Sequence, residues 1–471
     1  MNTKRAKGRP KPNEDVHWVS EEFGGAQLGD ERRQERLLLM ARDLAKYPQV
    51  SLPQALQQPG ALKAAYRFFD NNSVDAQAIL APHVISSIAR MRIHPVVLAV
   101  QDTTFIDYAG HPECQGLGPT CSKGGWGLLC HSTLAFTPEG LPLGVLGMRT
   151  WARDPDKGIK GTRRQRPIEQ KESHKWIDSV EAVAKLGEQL PDTRLVSVAD
   201  REGDVFEYFT QAQALKVDLL VRAAWDRRVE GSYDYLWASL AKAPLLTQQA
   251  LAVPERAGQR ARLATLSLRA TTITLKAPSS GSGRGLAPMR LWALWAYEES
   301  PPADQEPIEW MLLTSVPTET AQQACERLSW YARRWGIEIW HRALKGGCSI
   351  ETRQLASLAR LQRLLSVYAV IAWRIVYARM LARLDPDLPS TVLLCPHEWR
   401  ALYCRIHQTS TPPATAPPLR EAIRWIARLG GFLARKSDGE PGVQTLWRGF
   451  HQLTTLTEMF RIMNPDDHST A

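Results

Sequence analysis

Two apolar runs of strand type, each ending on an aspartate and separated by helical sequence, constrain this chain more than any other feature. Val96, Val97, Leu98, Ala99 and Val100 form a run that stops at Gln101 and Asp102, and Leu195, Val196 and Val198 form a second that stops at Asp200. β-Branched side chains suit a pleated, buried surface. Further apolar runs at 132–136 and 143–148 read as strands, 170–186 reads as a helix, and another helix follows from Asp204. Strands alternating with helices are most simply built as a mixed α/β sheet with flanking helices.

The segments on either side have different textures. From Trp18 to about residue 88 the pattern is helical, with Leu37, Leu38, Ala41, Leu44 and Ala45 at three- and four-residue spacing and Tyr66, Phe68 and Phe69 to close a small core. Residues 16–90 are therefore expected to form a helical module. Its basic set, Arg32, Arg33, Arg36, Lys63 and Arg67, reads either as a solvated helix face or as a DNA-contacting one. Residues 1–15, with Lys4, Arg5, Lys7, Arg9 and Lys11 among Gly and Pro, read as a flexible basic arm, and residues 154–167 as a basic loop. Between about 219 and 314, alternating stretches at 263–276, 291–297 and 310–315 suggest a mostly β insertion within an α/β domain spanning 91–390. After Pro317 one long helix is expected to reach Lys345 and stop at Gly346 and Gly347. The tract TSTPPATAPP at 409–418 cannot be helical, because proline removes a donor and clashes with the preceding turn. It marks a linker at 391–418, followed by a helical C-terminal module at 419–471.

Composition narrows the partners. The chain has 471 residues and a net charge of +10, and 43 of its 59 cationic residues are arginine. The planar guanidinium fork pairs with phosphate through two points, so an arginine-rich excess suits a polyanion such as DNA or RNA. Seven cysteines without a CxxC pair argue against a disulfide framework and a structural zinc, the nearest cluster being Cys114, Cys121, Cys130 and His131. The longest uncharged apolar run, 364–373, is about half of what a bilayer-spanning helix needs. The basic N-terminus has no apolar stretch behind it, so a cytosolic protein is expected.

Three carboxylates stand out by position: Asp102 and Asp200 after apolar strands and Glu338 on the long helix. Each alone also fits a turn or helix cap. If they converge, hard carboxylate oxygens of this kind suit a pair of magnesium ions about 3.5–4 Å apart, which favours in-line displacement at phosphorus. At about 100° per residue, Tyr331, Arg334, Glu338 and Lys345 share one helix stripe roughly 60° wide, while Trp330, Ile337, Trp340 and Leu344 share an apolar arc. An ordinary solvated face, with Arg334 and Glu338 as an i,i+4 pair, fits the same pattern.

The segment YARRWGIEIWHRALK at 331–345 resembles the Tyr-x2-Arg-x3-Glu-x6-Lys signature of DDE transposases of bacterial cut-and-paste elements, insertion-sequence family four. QDTT at 101–104 and VADREGD at 198–204 are similar to the first- and second-aspartate motifs of that family. LGDERRQERL, LAKYPQ and AAYRFFDN resemble its end-binding module, QKES at 170–173 a further block, and IARLGGF at 426–432 its C-terminal part. The likeness runs in order from about residue 18 to about 453.

The resemblance implies an RNase H-like catalytic core carrying the β insertion, with Asp102, Asp200 and Glu338 as catalytic residues holding two Mg²⁺ ions, for which Mn²⁺ may substitute. It implies that Tyr331, Arg334, Arg342 and Lys345 grip phosphates, that Trp310 receives a flipped base, and that Arg222, Arg32, Arg33 and Arg67 contact DNA. The implied reaction is cleavage at the ends of a transposable element, hairpin formation and strand transfer into target DNA, performed by a homodimer on double-stranded DNA in the bacterial cytoplasm. The chain departs from the pattern at Arg342, where the family often carries lysine, and at PERAGQRAR, 254–262, which stands where a longer basic hairpin is expected. A DNA-binding regulator of transposition without catalysis is the alternative, and a nuclease or resolvase on the same core is a third reading.

Overall fold

The computed structural model describes residues 17–120, 124–155, 166–231, 233–253, 261–303, 305–435 and 438–464. The basic arm, Cys121, most of the basic loop and most of PERAGQRAR lie outside them. The chain divides into two compact units, one made of residues 1–82 with 381–471, the other of residues 83–380. In the first, the N-terminal sequence forms α1 (His17–Phe23), α2 (Glu31–Lys46), α3 (Leu52–Leu56), α4 (Pro59–Asp70) and the start of α5 (Ala76–Met91). Asp30 caps α2 by accepting the Arg32 amide at 2.9 Å, which satisfies one of the open donors of the first turn. Leu37, Met40, Ala41 and Leu44 then face inward at helical spacing, and Phe68 and Phe69 are buried beyond them.

The second unit runs β1 (Val96–Asp107), β2 (Gly118–Pro119), β3 (Trp126–Phe136), β4 (Pro142–Trp151), α6 (His174–Gly187), β5 (Arg194–Ala199), α7 (Phe206–Ala214), β6 (Asp218–Arg222), α8 (Leu236–Lys242), β7 (Leu245–Val253), β8 (Arg262–Leu275), β9 (Met289–Glu298), β10 (Glu309–Thr314), α9 (Ala321–Ala332), α10 (Trp335–Arg342) and α11 (Leu358–Leu384). The strands form one mixed sheet in the order β2-β3-β1-β5-β6-β10-β9-β8-β7, with β4 on β3. Among the described strands, β1–β5 and β5–β6 are the pairs that run parallel, and α6 and α7 belong to the long connections such pairing requires. Trp176, Ile177 and Val180 of α6 and Phe206 and Phe209 of α7 bury one face of the central strands, which explains their continuous apolar runs. This mixed α/β architecture is compatible with an RNase H-like core.

Several expectations need correction. Asp102 is not at a strand end: β1 continues to Asp107, and Asp102 lies opposite Ser132 of β3. The apolar run stops there because pairing with β5 ends at Val100 and Val198, while β3 accompanies the strand further. The segment read as an insertion from 219 starts inside β6, a parallel core strand, and β7–β10 extend the same sheet. Alternation shows that a strand has two faces but not which strand lies beside it. The single helix expected over 318–345 is broken: α9 ends at Ala332, α10 starts at Trp335, and a wider π-turn occupies Ala343–Gly347. α11 has the length and hydropathy of a membrane-crossing helix, yet 78% of its apolar window is buried inside the protein, as in a core helix.

In the first unit the chain closes with α12 (Pro396–His407), α13 (Leu419–Leu429) and α14 (Val443–Met463). The linker expected at 391–418 is therefore mostly replaced by α12, with proline at its first position where no donor is needed. The separate N- and C-terminal modules are one unit, joined by the Lys46–Glu458 ion pair at 3.3 Å and the edge-on contact of Tyr47 with His451. α13 turns Leu419, Ala422, Ile423, Ile426 and Ala427 inward, and it meets α14 where Gly430 and Gly449 leave no room for side chains.

Candidate active site

Asp102 faces the α10 side of the sheet, at the point where β1 parts from β5. Such a parting of strands at their carboxyl ends leaves a crevice in α/β folds. Asp200 follows β5 directly and accepts the Glu202 amide at 2.8 Å, capping a short 3₁₀ turn. Glu338 comes from α10. Gly336 allows that helix to lie close, because a Cβ there would stand 2.6 Å from the buried Phe136 ring of β3. A glycine inside a helix costs about 1 kcal/mol relative to alanine, so close approach is the physical use of this one. Gly336→Ala is expected to push α10 off the sheet and lower stability by about 1–3 kcal/mol despite the better helix former, which calorimetry checks.

Arg334 ties the carboxylates together. Its Nη2 donates to Glu338 Oε1 at 2.5 Å, and its Nη1 lies 3.5 Å from Asp102 Oδ2. Burial pushes the Asp102 carboxyl up to about 7; Arg334 opposes this, and the negative charges of Asp200 and Glu338 add to it. Asp200 also acts electrostatically on Tyr331, Arg334 and Arg222. All three predicted carboxylates thus share one electrostatic neighbourhood, although among the described residues no group of three His, Cys, Asp or Glu side chains is gathered to hold a metal ion. The donor chemistry nevertheless fits magnesium: the oxygens are hard, and a divalent cation would offset the burial and like-charge repulsion that raise Asp102.

The structure separates the other predicted residues. Tyr331 is buried beside Arg334, and burial raises its phenol above the usual range. Trp310 is also buried, at 7% exposure, edge-on to Tyr331 at 4.9 Å and to Trp335 at 5.6 Å. Arg222 reaches the neighbouring Glu309 carbonyl at 2.8 Å. Lys345 lies in the π-turn and pairs with Glu351 at 3.5 Å rather than with the carboxylate cluster, while Arg342 is exposed at the end of α10. In the helical unit Arg32 and Arg67 are exposed, and Arg33 donates to the Leu28 carbonyl at 2.8 Å.

Sequence reasoning missed the layer beneath Asp102. Gln101 and Thr103 point to the opposite face of β1, where Thr103 bonds His131 at 2.9 Å and Gln101 donates to Ser197 at 2.6 Å; the Tyr208 hydroxyl also donates to Ser197. This buried network joins β1, β3, β5 and α7. Burial keeps His131 neutral by lowering its pKa. A signal was present, since residues flanking an outward aspartate must point inward and, being polar, require partners.

Residues 15–74 match the family model described as transposase DNA-binding, and residues 370–467 match the one described as the transposase Tn5 dimerisation domain. These domain families imply a nuclease or transferase activity in general. Together the matches support a Tn5-like transposase that binds DNA and forms a homodimer. The second match starts at residue 370, well before the 419–471 module expected from sequence.

Proposed function

We propose that the chain is a cut-and-paste DNA transposase of the insertion-sequence family four type, with Asp102, Asp200 and Glu338 as its acidic triad. The observation that carries this reading is the meeting of Asp102 and Glu338, from β1 and α10, on the two arms of Arg334, with Asp200 as their electrostatic neighbour. The three carboxylates would hold two Mg²⁺ ions, which supply Lewis-acid activation of the attacking oxygen and stabilisation of the leaving one. Arg334 and Arg222, both near the triad, offer charge-assisted donors to the phosphates on either side of the cut. Gly336 and the buried Gln101–His131–Ser197 layer set the carboxylates on rigid elements. In this reading water is directed at the element end, the freed 3′-hydroxyl attacks the opposite strand to form a hairpin, and opening of the hairpin precedes strand transfer into target DNA. The protein acts as a homodimer on nucleoid DNA in the bacterial cytoplasm.

The decisive experiment combines purified protein, a duplex carrying the inverted repeat that flanks the gene, and Mg²⁺ or Mn²⁺. Hairpin products support the proposal, simple nicks support a nuclease, and a mobility shift without cleavage supports a regulator. The arginine-rich interface also predicts steep salt dependence. With Arg32, Arg33, Arg67, Arg222, Arg334, Arg342 and Lys345 on phosphates, the log–log slope of affinity against salt is expected at about −6. A slope nearer −2 in anisotropy titrations would count against an extended DNA interface.

A further inference from the structure

The loop after β6 carries an indole that no role above uses. Trp225 is 67% exposed, and the loop beneath it is fastened throughout. The buried Asp204 carboxylate accepts the Ala224 and Trp225 amides at 2.7 and 3.1 Å and Arg227 Nε at 2.7 Å, while Arg227 also donates to the Asp204 carbonyl at 2.7 Å. On the two sides, the Ala223 amide bonds the Met311 carbonyl at 2.7 Å and Asp226 accepts the Trp237 amide at 2.8 Å. An acid with no side-chain exposure and three donors makes a strong clamp, and its result is a fixed backbone that presents a large apolar ring to water. A fixed backbone lowers the ordering cost of binding at this position.

The surroundings identify the occupant. Arg222, three residues before the indole, follows Val221, which pairs with Ala199 immediately before Asp200, and Arg201 and Arg228 are exposed. A flat exposed indole on a loop that also carries Arg222 and the exposed Arg228 suits a nucleic-acid base, with stacking on the ring and phosphates held by the cations. Trp310, by contrast, is covered by its own neighbours. We propose that Trp225 is a stacking platform for an unpaired base of DNA beside the carboxylate cluster, a role that rests on the transposase reading and adds a second aromatic contact to it.

The test compares wild type, Trp225→Ala, Trp225→Phe and, as an exposed apolar control, Ile93→Ala, all as full-length protein. The probes are a short duplex with a single-stranded overhang carrying 2-aminopurine and its blunt counterpart. For Trp225→Ala, affinity for the overhang duplex is expected to fall at least about fivefold, with loss of 2-aminopurine quenching, an unchanged salt slope and no change on blunt DNA. Trp225→Phe keeps most of the affinity and Ile93→Ala keeps all of it. Unchanged binding by Trp225→Ala overturns the proposal, and so does a loss traced to a changed oligomeric state, which would mean the indole covers a second copy of the chain. If wild type binds neither duplex, the transposase reading itself fails; if wild type binds and cleaves while Trp225→Ala does the same, only the stacking role is lost.

Discussion

Asp102→Asn is expected to abolish cleavage, by a factor on the order of 10³ or more, while DNA-end binding stays close to that of wild type. Asparagine keeps the shape and the Thr103 contact region but offers no anionic oxygen to a divalent ion. The same substitution has an opposite effect on stability in the presence of a chelator. Between pH 3.8 and about 7 the folded chain keeps a proton on Asp102 that the unfolded chain releases. The stability contributed by this group is therefore fully present below that window and is lost as pH rises through it. The loss is on the order of 4 kcal/mol by pH 8, and the variant escapes it. Chemical denaturation with chelator should show Asp102→Asn overtaking wild type as pH rises from 4 to 8, and a difference flat in pH would contradict the assigned environment. Mg²⁺ should stabilise wild type at pH 8 and leave the variant unmoved, which separates metal binding from simple relief of a buried charge.

Gly449→Ala is expected to damage the helical unit severely. Helix propensity by itself says the reverse, since alanine in place of glycine stabilises a helix interior by about 1 kcal/mol. Tertiary geometry decides the sign: a Cβ on Gly449 would lie 1.9 Å from the Ile426 carbonyl oxygen and 2.9 Å from its side chain. A backbone carbonyl cannot swing aside, so α13 and α14 must separate, at a cost of about 3 kcal/mol or more. A calorimetric Tm lower by about 10 °C is expected for that unit. Because both helices lie within the dimerisation match at 370–467, the dimer should weaken together with them, which light scattering would show. An unchanged or raised Tm would mean that the helices are not in backbone contact.

Much of the site was legible because its residues obey local rules. Apolar runs report burial on two faces, so β1 and β5 announced themselves together with the aspartates at which those runs stop. Helical rotation placed Arg334 and Glu338 on one stripe, and the structure joins them. It placed Lys345 there as well, whereas the structure sets this lysine in the π-turn at 343–347, paired with Glu351, because that turn winds differently from the α-helix that the rotation assumed. Trp310 lies edge-on to Tyr331, a contact and a burial that cannot be read from a chain with 16 tryptophans.

By itself, the sequence determined the mixed α/β class, the candidate acidic residues and the positive charge that suits a polyanion, since each depends on composition or short-range period. Tertiary structure decided what depends on partners distant in the chain: that β7–β10 continue one sheet, that the two chain ends share one unit, and that Gly336 and Gly449 mark close approaches. It also decided that Asp102 sits where one neighbouring strand leaves and another remains. Local sequence records how a residue prefers to fold and whether it seeks water. Which surface arrives opposite it is set only when the whole chain has packed, and that arrival raises the Asp102 carboxyl and places Arg334 between two acids.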